Sequence, residues 1–557
     1  MPSSQFVPKL ATVLREGYGW SAFKDDALAG LTVAIVALPL AMALGIASGA
    51  TPDKGLVTAV VAGFIISALG GSRVQIGGPT GAFVVVVFNV IRDHGYDGLV
   101  LATLMAGIIL VIAALLRLGA WIKYIPEPVV TGFTAGIAVI IFSSQIKDLF
   151  GLSVDHVPAD ALEKWAAFWA ARDTVRWDAV GLAALGLGII IVLRRYAPRW
   201  PGFLLAIIST AALTVVLGLN VETIGSQFGG IPQSLPMPSW PEISMAKMSA
   251  LLPSAFTIAF LAGVESLLSA MVADGMTGRR HRSNAELMAQ GVANIASALF
   301  GGMPATGAIA RTATNIRAGA RSPVSGILHA LYLLVFMIAL APLAAYIPLA
   351  SLAAVLVMVA WNMSDAPRFV HLMSAPVGDR IVLLITFALT VLVDLTVAIE
   401  VGVVVAAVIF MHRMAEVASV QTSGAGLLSD DDVPEDAAQR ADLPPGVDVF
   451  RLQGPLFFGV THRLSDVLAR TSAMPKVFIL RMRLVPMIDV SGLGALRLII
   501  EKYQRAGTAV ILSGVQSQPG DILKRLYGPG LAQIHFAPDF PQALIEAQRL
   551  LAAPPTP

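Results

Sequence analysis

The sequence contains no cysteine. That excludes disulfides, thiol catalysis and cysteine-held zinc, and leaves the compartment open. Charge is scarce too: Asp, Glu, Lys and Arg make up 13% of 557 residues, against about 25% in an average soluble protein. An excess of either sign is also missing. The net charge is +2, and no basic run is long enough to track a phosphate backbone, which argues against nucleic-acid binding. The 8 histidines show no metal-ligand spacing. Residues 1–25 hold no long apolar run closed by a small-residue cleavage site, so no cleaved signal peptide is expected.

What remains is apolar: 56% of the residues are hydrophobic, and 27 of the charged ones crowd between Ala415 and Pro557. The pattern is that of a multi-pass membrane protein with a soluble tail. A crossing helix needs about 20 apolar residues. Windows near 27–48, 55–70, 98–118, 127–147, 177–194, 201–219, 249–272, 285–300, 322–346, 349–363, 379–394 and 396–412 meet or approach that length. Two further stretches, 79–92 and 306–316, are too short to cross alone, which brings the expected elements to fourteen.

Arg117, Lys123, Arg194, Arg195, Arg199, Arg279, Arg280, Arg282, Arg317, Arg321 and Arg368 fall on one side of this arrangement. Lys164, Arg172 and Arg176 are local exceptions on the other. The asymmetry places both termini in the cytoplasm. Residues 1–25 form the N-terminal segment, 26–414 the membrane domain, 415–446 a linker and 447–557 a soluble domain. Phe6–Phe23 reads as an amphipathic helix lying on the membrane surface.

The two short elements have matching surroundings. Ser67-Ala68-Leu69-Gly70-Gly71 precedes Gly78-Pro79-Thr80-Gly81-Ala82, and Ser297-Ala298-Leu299-Phe300-Gly301-Gly302 precedes Pro304-Ala305-Thr306-Gly307-Ala308. With seven elements per half, the halves are inverted relative to each other. Interrupted segments at equivalent places in inverted halves point to a transporter binding site. A half-helix that starts inside the membrane presents unpaired N–H groups and the positive end of its dipole. Two such ends suit an anion. The plainer alternative is that these glycines and prolines only permit close helix packing.

Three intramembrane groups stand out. Glu265 lies deep in the apolar run Phe260–Ser269, where a carboxylate is costly and marks a functional candidate that could carry a proton. Ser269 follows one turn later on the same helix face. Arg311 opens the second half-helix and adds fixed positive charge. For Glu265 the plain reading is a protonated acid bonded to backbone; for Arg311 it is pairing with Glu265 or a headgroup. Glu127, between two prolines, belongs at the mouth of a span, and Asp394 and Glu400 read as capping or snorkelling groups near the last hairpin.

In the tail, strands near Val447–Leu452, Lys476–Met482 and Ala509–Ser513 alternate with helices near Thr461–Arg470, Gly492–Arg505, Gln518–Tyr527 and Pro541–Leu551. This is a small α/β domain. Asp489 or Ser491 is expected to cap the helix that begins at Gly492.

The strings Ala37-Leu38-Pro39-Leu40-Ala41-Met42-Ala43, Gly78-Pro79-Thr80-Gly81-Ala82-Phe83, Glu265-Ser266-Leu267-Leu268 and Gly307-Ala308-Ile309-Ala310-Arg311-Thr312-Ala313 resemble those of the SulP anion transporters, relatives of prestin and pendrin. The tail resembles a STAS domain. The resemblance implies a UraA-like fold of seven plus seven inverted elements. Elements 1–4 and 8–11 would form a core domain, and elements 5–7 and 12–14 a gate. It implies a homodimer, no enzymatic activity and no cofactor.

On that resemblance the substrate, a small inorganic or carboxylate anion, would meet Thr80, Gly81, Ala82, Ile309, Ala310 and Arg311. The coupling ion, H+ or alternatively Na+, would meet Glu265 and Ser269. Val272-Ala273-Asp274-Gly275-Met276-Thr277-Gly278 and Gln145-Ile146-Lys147-Asp148 resemble bacterial proton-coupled C4-dicarboxylate members. Eukaryotic sulfate members usually have glutamine where Leu40 stands, and sodium-coupled bicarbonate members have Asp and Thr at the positions of Glu265 and Ser269. The expectation is therefore proton-coupled dicarboxylate symport across the inner membrane. The alternatives are bicarbonate or sulfate uptake, an anion channel, a nucleobase transporter of the same fold, and a scaffold acting through the tail on a cytoplasmic protein. In STAS relatives regulated by phosphorylation, hydroxyl residues follow the aspartate at both positions; Val490 takes the first here, which argues against regulation at Ser491.

Overall fold

Backbone in hydrocarbon has to pair its polar groups internally, which the long apolar runs achieve as helices. A computed structural model describes residues 5–120, 126–154, 158, 161–197, 200–393, 395–417, 419–422, 443–460, 474–526 and 533–552. The chain divides into two compact units, Met1–Ala406 and Ala407–Pro557.

In the first unit the helices are α1 (Lys9–Glu16), α2 (Trp20–Ala47), α3 (Pro52–Leu69), α4 (Val84–Leu115), α5 (Glu127–Phe150), α6 (Ala161–Ala170), α7 (Trp177–Tyr196), α8 (Gly202–Leu217) and α9 (Ile224–Phe228). They continue with α10 (Met245–Thr277), α11 (Ser283–Leu299), α12 (Ile309–Arg317), α13 (Val324–Ala344), α14 (Leu349–Ser364), α15 (Ala366–Leu372), α16 (Val377–Leu392) and α17 (Leu395–Val417), the last running on into the second unit. Every apolar window read from the sequence falls on one of them. Among the described residues, 9 helices are long and apolar enough to cross a membrane, and Gly202–Leu217 is a shorter apolar helix. The short element at 79–92 and the span at 98–118 are parts of α4, broken at Gly95, where φ is 72° and ψ is 179°.

Two helix sets pack mainly among themselves. One joins α2, α3, α4, α10, α11, α12 and α13; the other joins α5, α7, α8, α14 and α16. Apolar helices in lipid gain little from burial, so small residues that admit close backbone approach hold them together. At the α4–α11 crossing, a Cβ on Gly107 would stand 2.7 Å from the Gly291 carbonyl oxygen, and one on Gly291 would stand 2.7 Å from that of Gly107.

The N-terminal segment departs from expectation. The helix stops at Gly17, where φ is 93°, so the surface helix is only Lys9–Glu16 and Trp20 already opens α2. The segment is tied to two loops of the helical unit. The Lys9 amide donates to the Gly70 carbonyl at 2.9 Å, and Arg282 donates to Val7 O and Thr12 Oγ1, both at 2.8 Å.

In the second unit, β3 (Ser419–Thr422), β4 (Val447–Gln453), β5 (Val477–Leu484), β6 (Ala509–Ser513) and β7 (His535–Ala537) form one sheet in that order. The β3–β4 pair is antiparallel and the rest are parallel. Helices α18 (Val490–Arg505), α19 (Ser517–Leu526) and α20 (Phe540–Ala552) complete the described part. Central strand β5 is apolar on both sides, as a covered parallel strand must be. Phe478 and Leu480 pack with Leu496, Tyr503 and Leu523 on one face; Val477 and Ile479 pack with Ala543 and Ala547 on the other. Two corrections follow. The expected linker 415–446 contains the end of α17 and strand β3, because an edge strand's backbone finds partners along β4. Strand β7 was not foreseen. Helix Thr461–Arg470, Asp394 and linker residues 418 and 423–442 lie outside the described residues.

Candidate functional site

The two short elements meet through a two-residue ladder. Strand β1 (Gly77–Gly78) pairs antiparallel with β2 (Thr306–Gly307), Gly77 opposite Gly307 and Gly78 opposite Thr306. Extended backbone inside the membrane thus satisfies itself across the repeat. Glycine is required by space: a Cβ on Gly307 would stand 1.7 Å from Gln75 Nε2, and one on Gly77 2.3 Å from Ile66 Cδ1. Gly78 has φ +146°, which side chains rarely adopt, and faces Arg311.

Beyond the ladder each strand turns into a helix. Thr80 leads a single 3-10 turn, Gly81–Phe83, continuous with α4; Ala308 leads α12. Neither start has a side-chain cap. The amides of Gly81 and Ala82, and of Ile309, Ala310 and Arg311, therefore have no partner within their helices, and the positive dipole ends point into the same region.

Helix α10 lies across both starts and holds them. Thr80 Oγ1 donates to Glu265 Oε2 at 2.8 Å. Thr306 Oγ1 donates to the Ala262 carbonyl at 2.8 Å, and Ser269 Oγ donates to Thr312 Oγ1 at 3.1 Å. Glu265 is half-buried, whereas Ser269 is fully buried. The carboxylate and the hydroxyl thus take different partners, one on each half-helix.

Arg311 is buried and its Nη2 donates to the Pro79 carbonyl, bridging the half-helices. It makes no direct bond to Glu265, and its Nε and Nη1 have no partner among the described residues. Ile309 and Ala310 are exposed, so these positions of α12 face open space. Gly81 and Ala82 are buried; a Cβ on Gly81 would come 2.4 Å from Met363 Sδ and 3.1 Å from Ile141 Cδ1, on α14 and α5. The structure therefore brings Thr80, Glu265 and Arg311 together. Ser269 is a strut one turn behind. Glu127, expected at a span mouth, is the first residue of α5 and pairs with Arg368 at 2.7 Å.

One polar framework escaped the sequence reading. Glu286, Gln290 and Asn294 are fully buried on α11. Glu286 accepts from the Gly71 amide at 2.9 Å, the Ser72 amide at 3.3 Å, Ser266 Oγ at 2.9 Å and Gln290 Nε2 at 2.8 Å. Asn294 holds both the amide and the carbonyl of Ala305, each at 2.9 Å. These groups fix the loops that lead into β1 and β2. Their spacing of four residues marks one helix face and was the available signal. Among the described residues no group of acidic, histidine or cysteine side chains could hold a metal ion.

Comparison with known proteins bears on the family and the fold. Residues 23–386 match the model of the sulfate permease family, and residues 439–528 match the STAS domain. The "Putative sulfate transporter YvdB" of Bacillus subtilis (strain 168) is 43% identical over 512 residues, 92% of this chain and 95% of the relative. The bicarbonate transporter BicA of a Synechocystis strain is 31% identical over 523 residues, covering 90% of each chain. Among solved structures, the murine Solute Carrier 26 family member A9 anion transporter is similar in fold, with a TM-score of 0.85 at 18% identity over 98% of this chain and 94% of that one.

Proposed function

The chain belongs to the sulfate permease family, and from that membership we propose that it carries a small oxyanion across the cytoplasmic membrane with a proton, by alternating access. The family consists of transporters rather than enzymes, and anion transport is common to its named relatives. The observation that carries the reading is the Thr80–Glu265 hydrogen bond beside two uncapped half-helix starts. A carboxyl that is half-buried at a site built for negative charge is best tolerated when protonated, so proton and anion favour each other's presence. Ser269 and Glu265 take different partners, Thr312 and Thr80, instead of turning toward each other as a shared sodium site would ask, which supports a proton over sodium.

For the anion, the strings around Asp274 and Lys147 favour a C4-dicarboxylate such as succinate or fumarate. The second reading is bicarbonate, favoured by the 31% identity to a named bicarbonate transporter. Both termini on the cytoplasmic side, a homodimer, and a cytoplasmic protein partner for the STAS domain complete the proposal.

The test is counterflow in proteoliposomes loaded with succinate, fumarate, bicarbonate or sulfate. Saturable counterflow of one anion, faster with an inward proton gradient, is the expected result. Conductive flux without saturation would replace the transporter by a channel.

A further inference from the structure

A second concave site lies away from the half-helices. A cavity of about 290 Å³ opens between the loop Ser72–Val74, the end of α10 and the turn at Ala320 and Arg321. Its α10 lining starts at Ala273, eight residues past Glu265 and so about 12 Å further along the helix. It sits on the face that carries α1, since Arg73 in its wall pairs with Glu16 at 2.5 Å. We propose that this cavity binds a phosphate group, gripped by Arg279 and Arg280.

The charge arithmetic of the wall carries the argument. Arg73 has Glu16 as its partner, Arg321 has Asp25 at 2.7 Å, and His281 Nδ1 has Asp274 Oδ2 at 2.7 Å. The two arginine pairs neutralise one another, and Asp274 is held by the His281 ring and also accepts from the His281 amide at 3.0 Å. Arg279 and Arg280 also line the cavity; among the described residues neither makes a hydrogen bond or close ion pair, although the Arg279 charge reaches Glu16, already bound to Arg73. Two guanidinium groups with no hydrogen-bonded acid at one concavity match an oxyanion with several acceptor oxygens, because each presents a planar fork of donors. The positive-inside tendency explains why arginines occur on one face. It does not explain why two of them converge on a cavity whose acids are all engaged.

Further basic groups stand beyond the wall, Lys9 and Arg282 among them, with the acids Asp274 and Glu16 between. Burial, with Arg282 and Arg73 alongside, holds the Lys9 ammonium below its ordinary range. A phosphate group here could belong to an anionic lipid headgroup or to free phosphate. Basic pockets at a membrane face suit the first, and the donor geometry suits either. The inference is independent of which anion is transported.

Thermal unfolding of the full-length protein in detergent tests it, with sodium phosphate titrated against sodium chloride at constant ionic strength. A parallel arm measures, by native mass spectrometry, phosphatidylglycerol retained from nanodiscs of phosphatidylcholine and phosphatidylglycerol. The probe variant is Arg279→Gln/Arg280→Gln; both side chains are exposed, so folding is not at risk. The wild type should show phosphate-dependent stabilisation, lipid retention or both, and the variant should lose about ten-fold or more in apparent affinity. Arg279→Lys/Arg280→Lys should recover part of the loss. Response to phosphate alone assigns a soluble ligand, and lipid retention alone assigns a headgroup. Equal responses in wild type and the glutamine variant overturn the proposal. So does phosphate stabilisation that disappears in Ala310→Trp, since the ion would then sit at the transport site.

Discussion

Arg311, at the start of one half-helix, donates its guanidinium to the carbonyl of Pro79, at the start of the other. The contact spans the inverted repeat and fixes a positive charge where both helix dipoles converge. It leaves two guanidinium nitrogens without a partner among the described residues, and an anion could supply acceptors for them. Pairing with Glu265, the plainer reading of the sequence, is not what the geometry shows.

Arg311→Gln is therefore expected to remove both a bridge and a charge. Hydrogen bonds to charged groups contribute about 1.5–3 kcal/mol, so anion affinity should fall roughly ten- to hundred-fold. Isothermal titration of purified protein measures this directly. Unchanged affinity in a folded variant would show that the bound anion lies elsewhere.

Bulk at the second half-helix should block the site. Ala310 faces open space, so Ala310→Trp should fold normally and lose anion binding, because backbone N–H groups need close approach. Gly81 differs: its added Cβ would displace Met363, a flexible neighbour, and Gly81→Ala should cost affinity only a few-fold. Wild-type affinity in folded Ala310→Trp would remove this region from consideration.

Gly107 tests the scaffold rather than the site. A larger side chain would press into the Gly291 backbone, which has no rotamer to yield. Overpacking of this kind costs about 1–3 kcal/mol or more, and Gly107→Leu should lower the melting temperature or abolish the monodisperse peak in size-exclusion chromatography. An unchanged profile would place the α4–α11 crossing elsewhere.

Some of this was legible in the sequence because it is local. The Gly-Pro breaks and apolar windows announce helices and their interruptions within a few residues, and the matched strings at Thr80 and Thr306 announce a repeat. The capping of α18 was equally local: Asp489 Oδ1 accepts from the Gly492 amide at 2.7 Å. The Thr80–Glu265 bond was not legible, since it joins residues 185 positions apart through the crossing of α10 over the half-helices. The surface helix was drawn too long because its amphipathic pattern continues through Trp20 and Phe23 into α2. Strand β7 was missed because three residues carry little pattern, and its ladder is supplied by β6.

The tail should be dispensable for binding but not for solubility. Met411, Met414 and Ala415, at the end of α17, pack on the apolar cluster of the second unit. Truncation after His412 would remove Met414, Ala415 and the cluster itself, leaving Met411 uncovered and every candidate site residue in place. Anion affinity should stay within about two-fold of wild type, with reduced yield of folded protein. Complete loss of binding in a monodisperse truncation would show that the site depends on the tail.

Coupling rests on Glu265. In Glu265→Gln the amide cannot ionise, yet its oxygen can still accept from Thr80 Oγ1, which donates at 2.8 Å in the parent. The substitution therefore imitates the protonated carboxyl with little change of shape. Anion binding and anion–anion exchange should survive, because neither requires the group to release its proton. Accumulation driven by an inward proton gradient should fail, because the return step with a charged, empty carboxylate no longer exists. A sodium site at Glu265 and Ser269 predicts something different: uptake that requires sodium and survives collapse of the proton gradient. A fixed-charge role predicts altered affinity in Glu265→Gln with the pH dependence of uptake unchanged. Uptake against external pH, with and without sodium, in both forms of the protein separates the three. Gradient-driven accumulation in Glu265→Gln equal to that of the parent would refute the proton-carrier role.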